Sequence, residues 1–139
     1  MKPTITYEAA PAEPDLELLG SGIAHYDAPI VGASDRIYLT YFARDDAGTI
    51  VGGIHGNTER EWLYISTLWV AATIRGGGCG RALLAHAERT ARERGCTHAY
   101  LDTFSYQAPA FYQRCGYTIF AELEDFPAPH RRIFLKKPL

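Results

Sequence analysis

The sequence is poor in the features of secreted, membrane and nucleic-acid-binding proteins. It has three cysteines, Cys79, Cys96 and Cys115, an odd number in a chain too long to depend on disulfide bonds, so we expect reduced thiols. No window approaches the ~18–20 apolar residues of a membrane span, and the amino terminus lacks the apolar run of a signal peptide. The net charge of −2 argues against a nucleic-acid partner, which needs a basic face. We therefore expect a cytoplasmic protein with no membrane or nucleic-acid partner.

Metal-ligand spacing is also missing. The five histidines are scattered along the chain, and no CxxC pair occurs. We predict no metal site.

What the chain does have is enough apolar material for a core. Hydrophobic residues make up 47% of its 139 residues, and charged residues make up 22%. This length is close to the commonest domain size, and we find no repeat or linker. We expect a single domain spanning residues 1–139.

The amino-terminal part has the weakest pattern. A short strand is indicated at residues 4–7, and Leu16 to Ile23 favour a short helix that Gly20 and Gly22 weaken.

From residue 37 onward the pattern of strands and helices is clear. Residues 37–44 and 49–54 predict a hairpin, and the apolar run from Glu61 predicts a strand buried on both faces. An amphipathic helix ending near Gly95 and a strand at residues 97–104 complete a βαβ unit with parallel strands. A short helix and a closing hairpin follow. This order predicts an α/β fold with a mixed, mainly antiparallel twisted sheet, a central parallel βαβ unit and flanking helices.

Four glycines within five residues lie between the central strand and its helix. The run is Arg75, Gly76, Gly77, Gly78, Cys79, Gly80 and Arg81. The first N–H groups of a helix lack internal partners and attract anions, and glycines let an anion approach them closely. We interpret the run as a phosphate-binding loop flanked by two cations; the alternative is a flexible connector or a turn that needs positive φ.

Two familiar phosphate loops do not fit this run. A Walker loop ends in Gly-Lys-Ser/Thr, whereas Gly80 is followed by Arg81 and Ala82. A dinucleotide fingerprint that starts at Gly76 requires glycine at the position of Arg81.

A third pattern does fit. The spacing Arg75-x-x-Gly78-x-Gly80 resembles the acetyl-CoA motif, Arg/Gln-x-x-Gly-x-Gly/Ala, of the GNAT superfamily of N-acetyltransferases. "APAFYQRCGY", from Ala108 to Tyr117, is similar to the later Ala-x-x-x-Tyr-x-x-x-Gly-Phe/Tyr signature of that family. The resemblance extends over residues 37–137, and the end of the chain looks like that of small bacterial members with unassigned substrates.

The resemblance implies a set of cofactor-binding residues. The loop amides would hold the pyrophosphate of acetyl-CoA, and the strand backbone would pair with the pantetheine arm across a gap between splayed strands. The implied residues are Leu68, Trp69, Val70, Arg75, Gly76, Gly77, Gly78, Cys79, Gly80 and Arg81. The N–H near Val70 would face the acetyl oxygen. Ser105 stands where the family often has a cofactor-contacting Asn, and Gln107 is an alternative.

The resemblance also implies the chemistry. Tyr112 occupies the position of the family's general acid, and a phenol pKa near ~10 lies close to that of a thiol. The general base is left open between Glu61 and a chain of waters. The implied reaction is direct acetyl transfer from acetyl-CoA to a primary amine of a small molecule or peptide, within a ternary complex.

Two other functions compete with this reading. One is a non-catalytic acyl-CoA-binding or sensing module of the same fold. The other is a nucleotide-phosphate hydrolase, disfavoured because no Walker lysine is present. The sequence does not indicate which amine is the acceptor, and a homodimer is left open.

Overall fold

The computed structural model describes all 139 residues, which divide into two units, residues 1–34 and residues 35–139. The first unit contains one helix, α1 (Glu13–Val31). The helix continues through Gly20 and Gly22, because glycine lowers helix propensity without removing a hydrogen bond, so α1 is longer than predicted. Residues 1–12 form no strand. The strand predicted at residues 4–7 is therefore wrong, since β-prone residues form a strand only where a partner strand pairs with them.

The second unit holds a six-stranded sheet and two helices. Its elements are β1 (Ile37–Arg44), β2 (Ile50–Glu59), β3 (Trp62–Val70), α2 (Cys79–Glu93), β4 (His98–Phe104), α3 (Pro109–Arg114), β5 (Thr118–Leu123) and β6 (Arg132–Pro138). The strand order is β1-β2-β3-β4-β6-β5, and only β3 and β4 run parallel. This confirms the predicted mixed sheet with its central βαβ unit.

The helix α2 covers one face of this sheet. Its apolar stripe is buried, as the 3.6-residue period predicted. The sheet residues of the same core are Leu63, Ile65, Ala99, Leu101, Ile133 and Leu135. The opposite face of β3 carries Trp62 and Tyr64, which are only half-buried, so the prediction that both faces of this strand are buried is wrong. Their rings contact His98 and Tyr100 of β4.

A β-bulge interrupts the pairing of β2 with β3. His55 pairs with Thr67 and Gly56 pairs with Ile65, which leaves Ser66 as an extra residue. A Cβ atom on Gly56 would lie 2.0 Å from the Tyr64 carbonyl oxygen, so the close approach of the two strands requires glycine there. Bulges bend a strand and re-aim the residues that follow it.

Candidate functional site

A gap opens at the centre of the sheet where β3 and β4 stop pairing. The parallel ladder runs from Trp62↔His98 to Ile65↔Leu101, yet β3 continues to Val70 and β4 to Phe104. The β4-facing edge of β3 beyond the bulge therefore has no strand partner. The resemblance implied a gap at this place, and the structure contains it.

The glycine loop closes one end of the gap. A short 3₁₀ turn at Ala72–Ile74 leads into the loop, and Gly78 precedes α2 with φ of 86°, in the left-handed region that favours glycine. The first amide of the helix to find an acceptor is that of Ala82, which donates to the Gly78 carbonyl at 3.0 Å. The N–H groups from Gly76 to Arg81 make no hydrogen bond within the chain, so they are available to an anion.

Two guanidinium groups flank these amides. Arg75 Nε donates to the carbonyl of Val70 at 3.0 Å, and so ties the loop to the end of β3. Arg81 Nη2 donates to the carbonyl of Arg114 at 3.3 Å, at the end of α3. Both side chains line the same cleft, and their charge adds to the positive end of the α2 dipole.

The gap and the loop form one cleft of about 790 Å³. Leu68, Trp69 and Val70 line it from β3, and the loop lines it through Arg75, Gly76, Gly78, Cys79, Gly80 and Arg81. The structure thus brings these predicted residues together. Gly77 lies in the same loop but is not among the lining residues.

Tyr112 lies in α3 and also lines the cleft. Tyr112 is only 9% exposed, and burial raises the pKa of its phenol to about 12. The hydroxyl oxygen has no hydrogen-bond partner in the chain, and no fully enclosed side-chain oxygen or nitrogen lacks one. The Tyr112 hydroxyl is therefore not fully enclosed, and Tyr112 is among the residues that line the cleft. The pKa near 10 assumed from the sequence is too low, because it ignores this burial.

Ser105 does not line the cleft. Its hydroxyl oxygen accepts a hydrogen bond from the Arg131 N–H at 2.9 Å, and its own N–H donates to the Arg131 carbonyl at 2.9 Å. Gln107 does line the cleft, with Oε1 accepting from Thr103 Oγ1 at 2.9 Å and from the Phe104 N–H at 3.1 Å. Of the two alternatives, the structure brings Gln107 to the cleft.

Glu61 lies away from the cleft. It follows β2 in the turn before β3, at the end of β3 opposite to the loop, and its carbonyl accepts from the Thr97 N–H at 2.9 Å. A strand rises ~3.3 Å per residue, so the length of β3 separates Glu61 from the glycine loop. The structure does not support Glu61 as the general base.

Asp102 also lines the cleft, although it was not predicted as a site residue. It lies in β4 one residue beyond the last pair with β3. Its Oδ2 accepts a hydrogen bond from Arg132 Nε at 2.7 Å, and its side chain is 15% exposed. The one available signal was an acidic residue within a central strand, between Leu101 and Thr103, which is uncommon unless the charge is paired.

No group of three or more His, Cys, Asp or Glu side chains is arranged to hold a metal ion. None of the helices has the length and apolar character needed to span a bilayer.

Comparison with known proteins identifies relatives of the whole arrangement. The profile of the family described as "Acetyltransferase (GNAT) family" matches residues 6–117. A blasticidin-S acetyltransferase of Streptomyces morookaense is 44% identical over 93 residues, which cover 66% of this chain and 68% of that protein. An acetyltransferase of Agrobacterium fabrum is 38% identical over 112 residues, which cover 81% of this chain and 82% of that protein.

A solved structure shares the fold over nearly the full length. The crystal structure of an acetyltransferase from Bacillus cereus superimposes with a TM-score of 0.88 at 30% identity, covering 96% of this chain and 98% of that one.

Proposed function

Because the chain belongs to the acetyltransferase (GNAT) family, we propose that it transfers the acetyl group of acetyl-CoA to a primary amine of a small molecule or peptide. The amine attacks the thioester directly while both substrates are bound. One observation carries the proposal: unpaired N–H groups at the start of α2, the gap beside β3 and Tyr112 all border one cleft.

In this proposal the cofactor is held by backbone at both ends of the cleft. The amides of the glycine loop bind the pyrophosphate, and Arg75 and Arg81 add charge. The pantetheine arm lies as an added strand along Leu68–Val70, where β3 has lost β4 as a neighbour. A backbone N–H near Val70 stabilises the negative charge that develops on the acetyl oxygen.

In this proposal Tyr112 is the general acid that donates a proton to the leaving thiolate. Its pKa of about 12 keeps the phenol protonated at neutral pH. Burial disfavours any anion, so the conditions that weaken the phenol as an acid also make a thiolate formed beside it more basic. The two shifts offset each other, and the proton can still move to sulfur as the C–S bond breaks.

The acceptor is expected to be a small molecule rather than a macromolecule. The Streptomyces relative is named for acetylation of blasticidin S, a small antibiotic. The net charge of −2 argues against a nucleic-acid acceptor. Blasticidin S is therefore the first acceptor to test, followed by amino sugars, polyamines and a lysine peptide.

Calorimetric titration with CoA, with ATP as the control, tests the cofactor assignment. Release of CoA thiol in the presence of acetyl-CoA and each amine tests the transfer, and mass spectrometry of the product locates the acetyl group on nitrogen. Binding of CoA without turnover of any amine would favour a non-catalytic acyl-CoA-binding module. Binding of ATP but not of CoA would rule out both the acetyltransferase and the acyl-CoA-binding module.

A further inference from the structure

Asp102 is the one carboxylate among the residues that line the cleft, and no histidine lines it. The other ionisable groups there are arginines, tyrosines and Cys79. Arginines remain protonated, and tyrosine phenols do not accept protons at neutral pH. Asp102 is thus the strongest candidate for a proton acceptor at this site.

The position of Asp102 fits an amine that enters from the side opposite to α2. Leu101 and Thr103, its neighbours in β4, are buried on the face that α2 covers. Successive side chains of a strand point to opposite faces, so Asp102 points to the other face. It stands where β3 and β4 separate, and the cleft is lined from both faces of the sheet at that point.

Arg132 fixes the carboxylate without occupying it fully. Arg132 Nε binds Oδ2 at 2.7 Å, whereas Oδ1 accepts no hydrogen bond within the chain. The guanidinium itself is held above the rings of Phe104, Phe126 and Phe134, at 5.3–5.7 Å from the ring centroids. The charge of the carboxylate is thereby balanced by an adjacent cation. A balanced pair favours a neutral amine as its next hydrogen-bond donor, because an ammonium group would be repelled by Arg132.

Asp102 and Tyr112 also interact electrostatically. The negative charge of Asp102 contributes to the raised pKa of the Tyr112 phenol, after burial and Cys115. The same carboxylate adds to the raised pKa of Tyr64, again after burial. A base and an acid close enough to interact are the two groups that acyl transfer to an amine requires.

We propose that Asp102 is the general base of the acetyl transfer, an assignment that rests on the proposed function. Oδ1 accepts a hydrogen bond from an N–H of the neutral amine and orients the nitrogen lone pair toward the thioester carbonyl. As the C–N bond forms, the nitrogen becomes acidic and its proton passes to Asp102. The C–S bond then breaks, and Tyr112 gives its proton to sulfur. Solvent returns a proton to Tyr112 and removes one from Asp102, which leaves amide and CoA thiol as the net products.

The first test is Asp102→Asn, which keeps an oxygen for Arg132 but removes the proton acceptor. We expect kcat for the best amine of the panel above to fall by about 100-fold or more, which is the usual effect of losing a general base. The dissociation constant for acetyl-CoA should stay unchanged. Glu122→Gln is the matched control, because Glu122 pairs with Arg131 at 2.8 Å but lies outside the cleft, and it should keep the wild-type kcat.

The second test is chemical rescue. Asp102→Ala opens space for a small anion, so added formate should restore part of its turnover and should not affect Glu122→Gln. Asp102→Asn carries the test alone if a thermal melt shows that Asp102→Ala does not fold.

The outcomes separate this assignment from the proposed function. Wild-type turnover with undiminished kcat in Asp102→Asn would overturn the assignment and leave the acetyl transfer intact. A second outcome would also overturn the assignment. Asp102→Ala would fold but turn over slowly, formate would not restore its turnover, and Arg132→Gln would be equally slow. Asp102 would then serve only to position Arg132. Absence of turnover by the wild type with every amine would overturn the proposed function, and the assignment with it.

Discussion

The Tyr117 hydroxyl donates a 3.0 Å hydrogen bond to Glu88 Oε2, and this contact ties the segment after α3 to the middle of α2. Lys137 Nζ donates to the same carboxylate at 3.0 and 3.1 Å and to the Cys115 carbonyl at 2.8 Å. The N–H of Tyr117 also donates to the Tyr112 carbonyl at 3.0 Å. Through these bonds α2, which begins at the glycine loop, fixes the position of the helix that carries Tyr112.

Removing the Tyr117 hydroxyl should cost stability in a measurable way. Tyr117→Phe deletes one hydrogen bond to a carboxylate but leaves Glu88 paired with Lys137, so we expect the free energy of unfolding to fall by about 1.5–3 kcal/mol. Glu88→Ala should cost more, about 3–5 kcal/mol, because it leaves the Lys137 charge without its partner. Urea denaturation followed by circular dichroism measures both changes. A smaller loss in Glu88→Ala than in Tyr117→Phe would contradict this account of the network.

Gly78 and Gly95 form a matched pair for testing the phosphate loop. Both have φ of 86°, and a Cβ atom on either would meet nothing within 4 Å. Alanine at each position should therefore cost a similar amount of stability, about 1–2 kcal/mol, from backbone strain alone. Only Gly78→Ala should weaken CoA binding, since Gly95 lies beyond the other end of α2. Urea denaturation and calorimetric titration with CoA measure the two effects, and equal affinity of the two variants for CoA would argue against the loop as the cofactor site.

Glu88 shows which features of α2 follow from nearby residues in the sequence and which depend on distant ones. The helical period correctly predicted that Leu83, Leu84, Ala87 and Ala91 would be buried, because the period depends only on neighbouring turns. The same period places Glu88 on the face opposite to these residues, where its spacing from Arg92 suits an i,i+4 ion pair. The structure buries Glu88 instead, because its partners come from Tyr117 and Lys137, far away in the sequence.

The candidate site also contains features that depend on nearby residues in the sequence and features that depend on distant ones. The glycine loop and the position of Tyr112 could be predicted because each depends on a short run of residues in a recognisable element. The Asp102–Arg132 pair and the bulge at Ser66 could not, because each is created by two strands meeting in a particular register. Register is a property of the assembled sheet, and a single strand does not reveal it.

Arg81 should contribute charge to cofactor binding. Arg81→Ala removes a cation beside the unpaired amides, and loss of one charge-assisted contact should raise the dissociation constant for CoA by about tenfold, or ~1.4 kcal/mol. Arg92→Ala is the control, because Arg92 is exposed in the last turn of the same helix and should leave CoA affinity unchanged. Calorimetric titration at two salt concentrations provides the measurement. The wild type should lose more affinity with added salt than Arg81→Ala does, since screening weakens exposed charges; equal salt dependence would contradict a role for the Arg81 charge.

The burial of Tyr112 predicts a specific response to alkaline pH. In the unfolded chain its phenol ionises near pH ~10, whereas in the folded protein its pKa is about 12. Below pH ~10 both states keep the proton, and between ~10 and about 12 only the folded state does, so stability must fall as pH rises through this window. The loss from this one group is at most about 3 kcal/mol, from a shift of about two pH units.

Tyr112→Phe should show a shallower decline over this window, measured by urea denaturation at a series of pH values. It should not be much less stable than the wild type at pH 8, since the Tyr112 hydroxyl makes no hydrogen bond within the chain. Tyr106→Phe is the control for loss of a phenol hydroxyl, because Tyr106 is 54% exposed whereas Tyr112 is buried. Tyr117, whose pKa burial also raises, keeps part of the slope in either variant. If Tyr112→Phe and the wild type lost stability equally above pH ~10, the phenol would not be held neutral by burial, and its assignment as an acid that stays protonated at working pH would lose its physical basis.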